Sequence, residues 1–295
     1  MAARPKGPVG KSSPRYRRRR PGPSGAVWLL AAIGLAIVVI LVVKFALPRG
    51  NTGSSLDGQP VAADVLTALT TVPTAVFDAA GTGGATVAAG GVSTLWKGSA
   101  GKPVFLYVGA EYCPYCAATR WSLVTALARF GTWSGLQYHS SSAQDAYPST
   151  PTFTFLHASY TSSYFDFQSA EEQGQLGKAL QHLTAQQSKY RDTYEAPPYL
   201  PQNKAGGYPF LDVANRFLWS GSIYDPGALT GQQWAGIAQG VHAGQGPAAQ
   251  YILAGANRVS AAICAVDGDQ PAAVCGSAAI KAAIAKLPAA QGTGA

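Results

Sequence analysis

Cys113 and Cys116 are two thiols separated by Pro114 and Tyr115. At this spacing a dithiol can close into a disulfide and exchange it with a partner. The attacking species in such an exchange is a thiolate, not a thiol. The apolar run Pro103–Val108 reads as a strand, Gly109-Ala110-Glu111-Tyr112 as a tight turn, and Ala117–Phe130 as a helix. Cys113 then lies at a helix N-terminus, where unpaired amides and the helix dipole stabilise an anion and lower the thiol pKa below about 8.5. Cys116, one turn on and shielded, is placed to attack a mixed disulfide on Cys113. Cys113 is thus the expected nucleophile and Cys116 the resolving thiol. Pro114 suits the first helical turn, where its missing N–H is no loss. The competing reading is an inert structural disulfide.

The elements that must hold this pair are readable in outline. The near-continuous apolarity of Pro103–Val108 predicts a central strand covered on both faces. The helix carries Trp121, Val124, Leu127 and Ala128 on one stripe and stops at Gly131. Leu136–His139 reads as a second strand, and Thr152–Phe155 with Tyr164–Phe167 as an added hairpin. Leu176–Tyr194 reads as a helix, within an insertion over about 156–205. A proline-led strand (Tyr208–Val213), a turn (Ala214–Arg216), a returning strand (Phe217–Trp219) and a helix (Gln232–Val241) follow. Two helices over 247–264 and 271–287 end the chain. The expected organisation is an extension over 61–100, a main domain over 101–245 and a C-terminal helical pair over 246–295.

The N-terminal part is different in kind. Residues 1–24 hold eight basic side chains and no acid, and residues 1–25 read as a disordered tail. Without those eight, Lys44 and Arg49, the remaining 12 basic residues face 14 acids in residues 50–295. The body is nearly neutral, with no basic cluster for nucleic acid. Ala26–Val43 is uncharged and, with Lys44 snorkelling, extends to Leu47, so 26–47 is long enough for a membrane span. The arginines before it should stay cytoplasmic, placing the C-terminal part outside. A cleaved signal peptide is the rival, but Lys44-Phe45-Ala46-Leu47-Pro48 is a poor cleavage site. Residues 48–60 read as a flexible linker.

Cys264 and Cys275 flank a helix–helix turn. A structural disulfide is expected there, worth about 2–4 kcal/mol in an oxidising compartment. A shuttle relaying electrons to Cys113–Cys116 and a four-thiol zinc site are the alternatives, the second pair lacking short metal-ligand spacing. Arg120 reads either as a group favouring the Cys116 thiolate or as a solvated helix residue, and Trp121 as core. His139, His157, His182 and His242 show no paired spacing.

The turn Ala110–Cys116 resembles the active-site turn of thioredoxins, and Pro114-Tyr115 the inner pair of glutaredoxins. Gly207-Tyr208-Pro209-Phe210 resembles the thioredoxin loop whose proline is cis and faces the cysteines. Carried over, Pro209 abuts Cys113, and the Tyr208 backbone pairs with a bound peptide, bordered by Tyr112 and Tyr115. Thr150-Pro151-Thr152-Phe153 competes for that role. More closely, most of residues 61–280 resembles a family of membrane-anchored thioredoxin-like proteins, domain of unknown function 929. The match rests on Tyr107–Cys116, Arg120-Trp121, Arg129-Phe130-Gly131, Tyr147-Pro148, Thr150–Phe153, Pro209–Asp212, Cys264 and Cys275. It implies an α/β thioredoxin-like fold with a central mixed sheet, a helical insertion and a C-terminal helical appendage. One departure stands out: the position of the buried proton-shuttling acid of thioredoxin is Tyr107. Glu111 is expected on the exposed turn, leaving water or the partner thiolate to take the Cys116 proton.

The expected function is a membrane-tethered, extracytoplasmic thiol-disulfide oxidoreductase acting on exported proteins, with a membrane or extracytoplasmic redox partner and neither cofactor nor metal. A copper or haem-maturation chaperone, and a non-catalytic interaction module, are the alternatives.

Overall fold

The computed structural model describes residues 54–86 and 88–292. The basic tail, the span expected over 26–47 and the start of the linker lie outside the described residues. Among the described residues no helix is long and apolar enough to cross a membrane.

Helices α1 (Ala63–Thr70) and α2 (Thr74–Ala80) come first, with Pro73 at the start of α2. Strands β1 (Ala89–Gly90) and β2 (Val104–Ala110) lead into α3 (Pro114–Leu127). Five strands follow: β3 (Gly131–Ser134), β4 (Gln137–Ser140), β5 (Pro151–Thr154), β6 (Ser159–Ser162) and β7 (Asp166–Gln173). Next come α4 (Ala185–Tyr194), β8 (Phe210–Val213), β9 (Phe217–Ser220) and α5 (Trp234–Ala243). Helices α6 (Ala249–Asp267), α7 (Ala272–Cys275) and α8 (Ala278–Ile284) complete the chain.

The architecture is mixed α/β. A five-stranded sheet runs β1-β9-β8-β2-β7. β2 and β7 are parallel, joined by a crossover through α3, while β2–β8, β8–β9 and β1–β9 are antiparallel. Every residue of β2 is buried. Phe105 and Tyr107 pack into the main core with α3 and α6, and Val104, Leu106 and Val108 into a second cluster with Tyr194 and Leu200. The β8–β9 hairpin is joined by Ala214, Asn215 and Arg216, with Ala214 and Asn215 both at positive φ and the Arg216 amide donating to the Val213 carbonyl (3.0 Å). Asp212 braces it by accepting a hydrogen bond from the Asn215 amide (2.6 Å).

Several expectations are corrected. Residues 54–60 are not a free linker: Gly58 and Gln59 exchange backbone hydrogen bonds with Tyr138, and Asp57 accepts from Ser140. The strand near Leu136–His139 does not join the central sheet but pairs with β5 as a ribbon, and β3 pairs with β6. The insertion read over 156–205 cuts through β7, the parallel neighbour of β2. The segment interposed between α3 and β7 is instead the pair of ribbons, so it is stranded, not helical. The helix expected over 176–194 forms only over Ala185–Tyr194. Gly177 has a positive φ, and the backbone folds back so that Gln173 bridges Ala179. The C-terminal helices are no appendage. Ser122 of α3 donates to the Ile252 carbonyl of α6 (3.0 Å), and a Cβ at Gly255 would strike the Ser122 side chain. α6 thus covers the side of α3 turned away from the sheet, which is why α3 is buried nearly all round and not along one stripe.

Asp212 is fully buried, and burial pushes its carboxyl up to about 8, although the Asn215 amide opposes this. The group holds its proton in the folded chain over a range where the unfolded chain has lost it. Its contribution to stability is therefore full below about pH 4 and is lost as pH rises towards 8, on the order of 5 kcal/mol. Asp212→Asn keeps an acceptor for Asn215 and removes the titration. Its thermal unfolding midpoint should be flatter than the parent's between pH 5 and 9. Equal slopes for the two proteins would sink this account.

Candidate redox site

Cys113 is the N-cap of α3, with extended backbone angles and Pro114 directly after it. Its sulfur accepts from the Cys116 amide (3.3 Å), as a capping side chain does. Both cysteines are free, Cys113 only 5% exposed and Cys116 not at all. The hydrogen bond from the Cys116 thiol lowers the Cys113 pKa below its usual value; burial opposes this, and the helix-start amides and the Arg120 charge assist. For Cys116, burial pushes the thiol well up, the Cys113 charge adds to the rise, and Arg120 pulls it back. Cys113 is therefore the more acidic thiol of the pair, and Cys116 the one that keeps its proton to higher pH.

Below Cys116 lies a polar cluster within the core. Arg120, one turn along α3, is fully buried and makes a two-pronged ion pair with Glu171 of β7 (Nη2–Oε2 2.6 Å, Nε–Oε1 2.9 Å). Burial alone would lower the Arg120 pKa, but the Glu171 carboxylate more than compensates and keeps the guanidinium charged. Arg120 Nη2 also donates to the Ala110 carbonyl (3.0 Å), and the Ala110 amide donates to Cys116 Sγ (3.4 Å). Tyr107 is buried with its ring 5.8 Å from the Arg120 carbon.

The segment before β8 closes the site from the other side. The Tyr208–Pro209 bond is cis, and the Cys113 thiol reaches the Tyr208 carbonyl (3.8 Å). Pro151, the rival proline, lies instead in β5, where its carbonyl accepts from Trp121 (2.8 Å). The Tyr208 hydroxyl donates to Glu172 (2.8 Å), its ring lies 5.0 Å from the Arg191 guanidinium, and Arg191 donates to the Gly207 carbonyl (3.2 Å). Arg191 also pairs with Glu172 and with Glu195 (2.9 Å to the latter), and Glu195 accepts from the Gly206 amide (2.9 Å). One arginine of α4 thus fixes the loop that faces Cys113.

Tyr112 and Tyr208 pack against the thiols. Tyr112 stands edge-on to Tyr208 (6.4 Å), and Tyr115, 40% exposed, edge-on to Tyr147 (6.0 Å). Tyr115, Tyr147, Gly207, Tyr208 and Tyr224 line an open cavity of about 560 Å³. The expectation for Glu111 fails. It is only 8% exposed, accepts from Thr154 (2.7 Å) and lies 3.8 Å from His139, because the β4–β5 ribbon closes over the turn. Burial, with Arg120 adding to it, lowers the His139 pKa to about 4. Cys264 and Cys275 are bonded to each other, joining α6 to α7. Among the described residues no group of three His, Cys, Asp or Glu side chains is gathered as for a metal ion. Glu171, Glu172, Arg191 and Glu195 were not singled out from the sequence. Their one signal is the charge density of Glu171-Glu172 and Arg191–Glu195, which reads equally well as solvated surface.

Alkylation of the reduced protein by iodoacetamide should give one adduct, at Cys113, with a half-maximal rate below the free-thiol pH of about 8.5. Two adducts formed at equal rates would contradict the assignment of Cys113 as the more acidic thiol.

No curated protein and no solved structure matches the chain. A family model described as a domain of unknown function (DUF929) matches residues 92–265, a stretch from just before β2 into α6 that holds both free thiols, the Arg120–Glu171 pair and Pro209. That match spans more than half of the chain, and the protein belongs to the DUF929 family.

Proposed function

We propose that the protein is a thioredoxin-like thiol-disulfide oxidoreductase that acts on protein disulfides outside the cytoplasmic membrane, tethered by residues 26–47. The observation that carries this reading is the dithiol geometry. Cys113 caps a helix as the lower-pKa thiol, its sulfur meets the Tyr208 carbonyl before a cis proline, and Cys116 waits beneath it. The strand order β7-β2-β8-β9, with β7 parallel to β2 and the β8–β9 hairpin antiparallel, supports the thioredoxin-like fold. The Cys264–Cys275 bond suits an oxidising compartment.

In the reductive direction the Cys113 thiolate attacks one sulfur of the partner disulfide. A Cys113–partner S–S bond forms, the partner's own S–S bond breaks, and the electron pair leaves on its second sulfur. Cys116 then attacks Cys113, forming the Cys113–Cys116 disulfide and releasing the first partner sulfur as a thiolate. The partner gains two electrons and the protein loses two; oxidation is the same path reversed. The cavity beside Tyr115, Tyr147 and Tyr208 offers aromatic faces to an extended segment carrying the partner cysteine.

Cys116→Ala removes the resolving step and should accumulate mixed disulfides with extracytoplasmic proteins that dissolve on reduction and are absent from Cys113→Ser. The unaltered protein should catalyse reduction of insulin by dithiothreitol. Failure of both the trapping and the turnover would defeat the proposal.

A further inference from the structure

The reading above leaves one step without a residue: Cys116 must carry negative charge when it attacks Cys113, yet it is fully buried. A buried carboxylate is the obvious base, but Glu171 is spent. Its Oε2 accepts from Arg120 Nη2 (2.6 Å), and its Oε1 accepts from Arg120 Nε (2.9 Å) and from the Phe155 amide (3.4 Å). What the cluster has in surplus is donors. Tyr107 Oη and Arg120 Nη1 are both buried without a hydrogen-bond partner. A buried donor without an acceptor is costly, so such groups mark a place where an acceptor is missing.

The side chains that carry these two donors meet at the peptide beside Cys116, Arg120 through its other terminal nitrogen, Nη2. The Tyr107 hydroxyl lies over Gly109, where any Cβ would run into it. Arg120 holds the carbonyl of the next residue, Ala110, whose amide donates to Cys116 Sγ. Arg120 also lies four residues after Cys116 on α3, the spacing at which side chains share a helix face. The charged and titratable groups facing Cys116 are Cys113 and Arg120 of α3, Tyr107 of β2, Tyr112 of the turn and Glu171 of β7.

We propose that Arg120, oriented by Glu171, and Tyr107 form a buried donor pocket that stabilises the charge on Cys116 during its attack on the Cys113 mixed disulfide, in place of a general base. The proton leaves Cys116 for the partner thiolate expelled in the first step, so the two half-reactions stay balanced without a protein carboxylate. Arg120 and Tyr107 act as positioning and electrostatic residues, and Glu171 keeps the guanidinium aimed. This rests on the exchange reaction proposed above.

The test uses the reduced full-length protein and one equivalent of dithiobis(nitrobenzoate). Attack by Cys113 releases one thionitrobenzoate, and attack by Cys116 on the resulting mixed disulfide releases a second. The two phases are followed by absorbance across pH. Tyr107→Phe, which removes only the hydroxyl, should keep the first phase, and Arg120→Met with Glu171→Gln, which leaves no lone buried charge, should slow it only by the minor part that Arg120 plays in lowering the Cys113 pKa. Each should slow the second, by about tenfold for the double variant, as a one-unit rise in the Cys116 pKa would produce. The pH midpoint of that phase should rise with it. Arg120→Lys should restore part of the rate. A second phase unchanged in rate and pH midpoint in Tyr107→Phe, or in the double variant where it folds, overturns this inference while leaving the exchange reaction intact. A parent protein with no second phase overturns the exchange reaction itself.

Discussion

Arg120 and Glu171 form an ion pair from which water is excluded on both sides, and the arrangement of the site depends on it. The pair joins α3 to β7, and through the Ala110 carbonyl it also grips the end of β2. Glu171 ties in two further segments: its carboxylate accepts from the Phe155 amide, and its amide donates to Gln181 (2.7 Å). A buried pair of this kind contributes little net stability compared with a well-packed apolar pair, because both ions must be desolvated. Removing one partner is another matter, costing about 3–5 kcal/mol through the charge left behind. The physical consequence is specificity. A small slide of α3 along the sheet would break both prongs of the guanidinium at once, so the helix that carries the cysteines has one register over β2 and β7.

A second arginine does for the opposite wall what Arg120 does for the floor. Arg191 gathers Glu172 from β7, Glu195 from the end of α4, the Gly207 carbonyl and the face of Tyr208. Glu171 and Glu172 are adjacent on β7, where the register with β2 shifts, and their side chains serve Arg120 of α3 and Arg191 of α4 respectively. One dipeptide at the end of an edge strand therefore holds both the helix with the thiols and the loop that meets Cys113. The distance between Cys113 and the Tyr208 carbonyl is set by these two anchors, with the sheet as the rigid spacer between them.

This also explains what was legible in the sequence. β2, α3 and the β8–β9 hairpin are written in local signals: a continuous apolar run, a proline at a helix start, and a proline before a short strand. Cys113 and Cys116 could be placed from those signals, whereas Pro209 came from the resemblance of Gly207–Phe210 to a thioredoxin loop, with Pro151 as its rival. β7 could not, because it is an edge strand whose residues are mostly half-buried, and Ser169–Gln173 shows no apolar alternation. The packing of α6 on α3 was hidden for a related reason. Ala254-Gly255-Ala256 has too little side chain to show a hydrophobic stripe, yet it is the small size of Gly255 that admits Ser122. Arg120 stayed ambiguous because its partner lies 51 residues away on the strand that could not be read.

Tyr107 is the residue whose meaning changed most. From the sequence it is a tyrosine where the resemblance to thioredoxins implies an acid. Within the fold it is one of three coupled choices. A tyrosine at this position needs glycine two residues on, because its hydroxyl occupies the space a Cβ at Gly109 would take. A carboxylate there would instead give two anions to one buried guanidinium. An uncharged phenol faces the guanidinium with its ring and brings a donor without a further charge. Tyr107, Gly109 and the Arg120–Glu171 pair therefore form a set. In the proposed exchange this set would meet the charge on Cys116 with buried donors and not with a buried base.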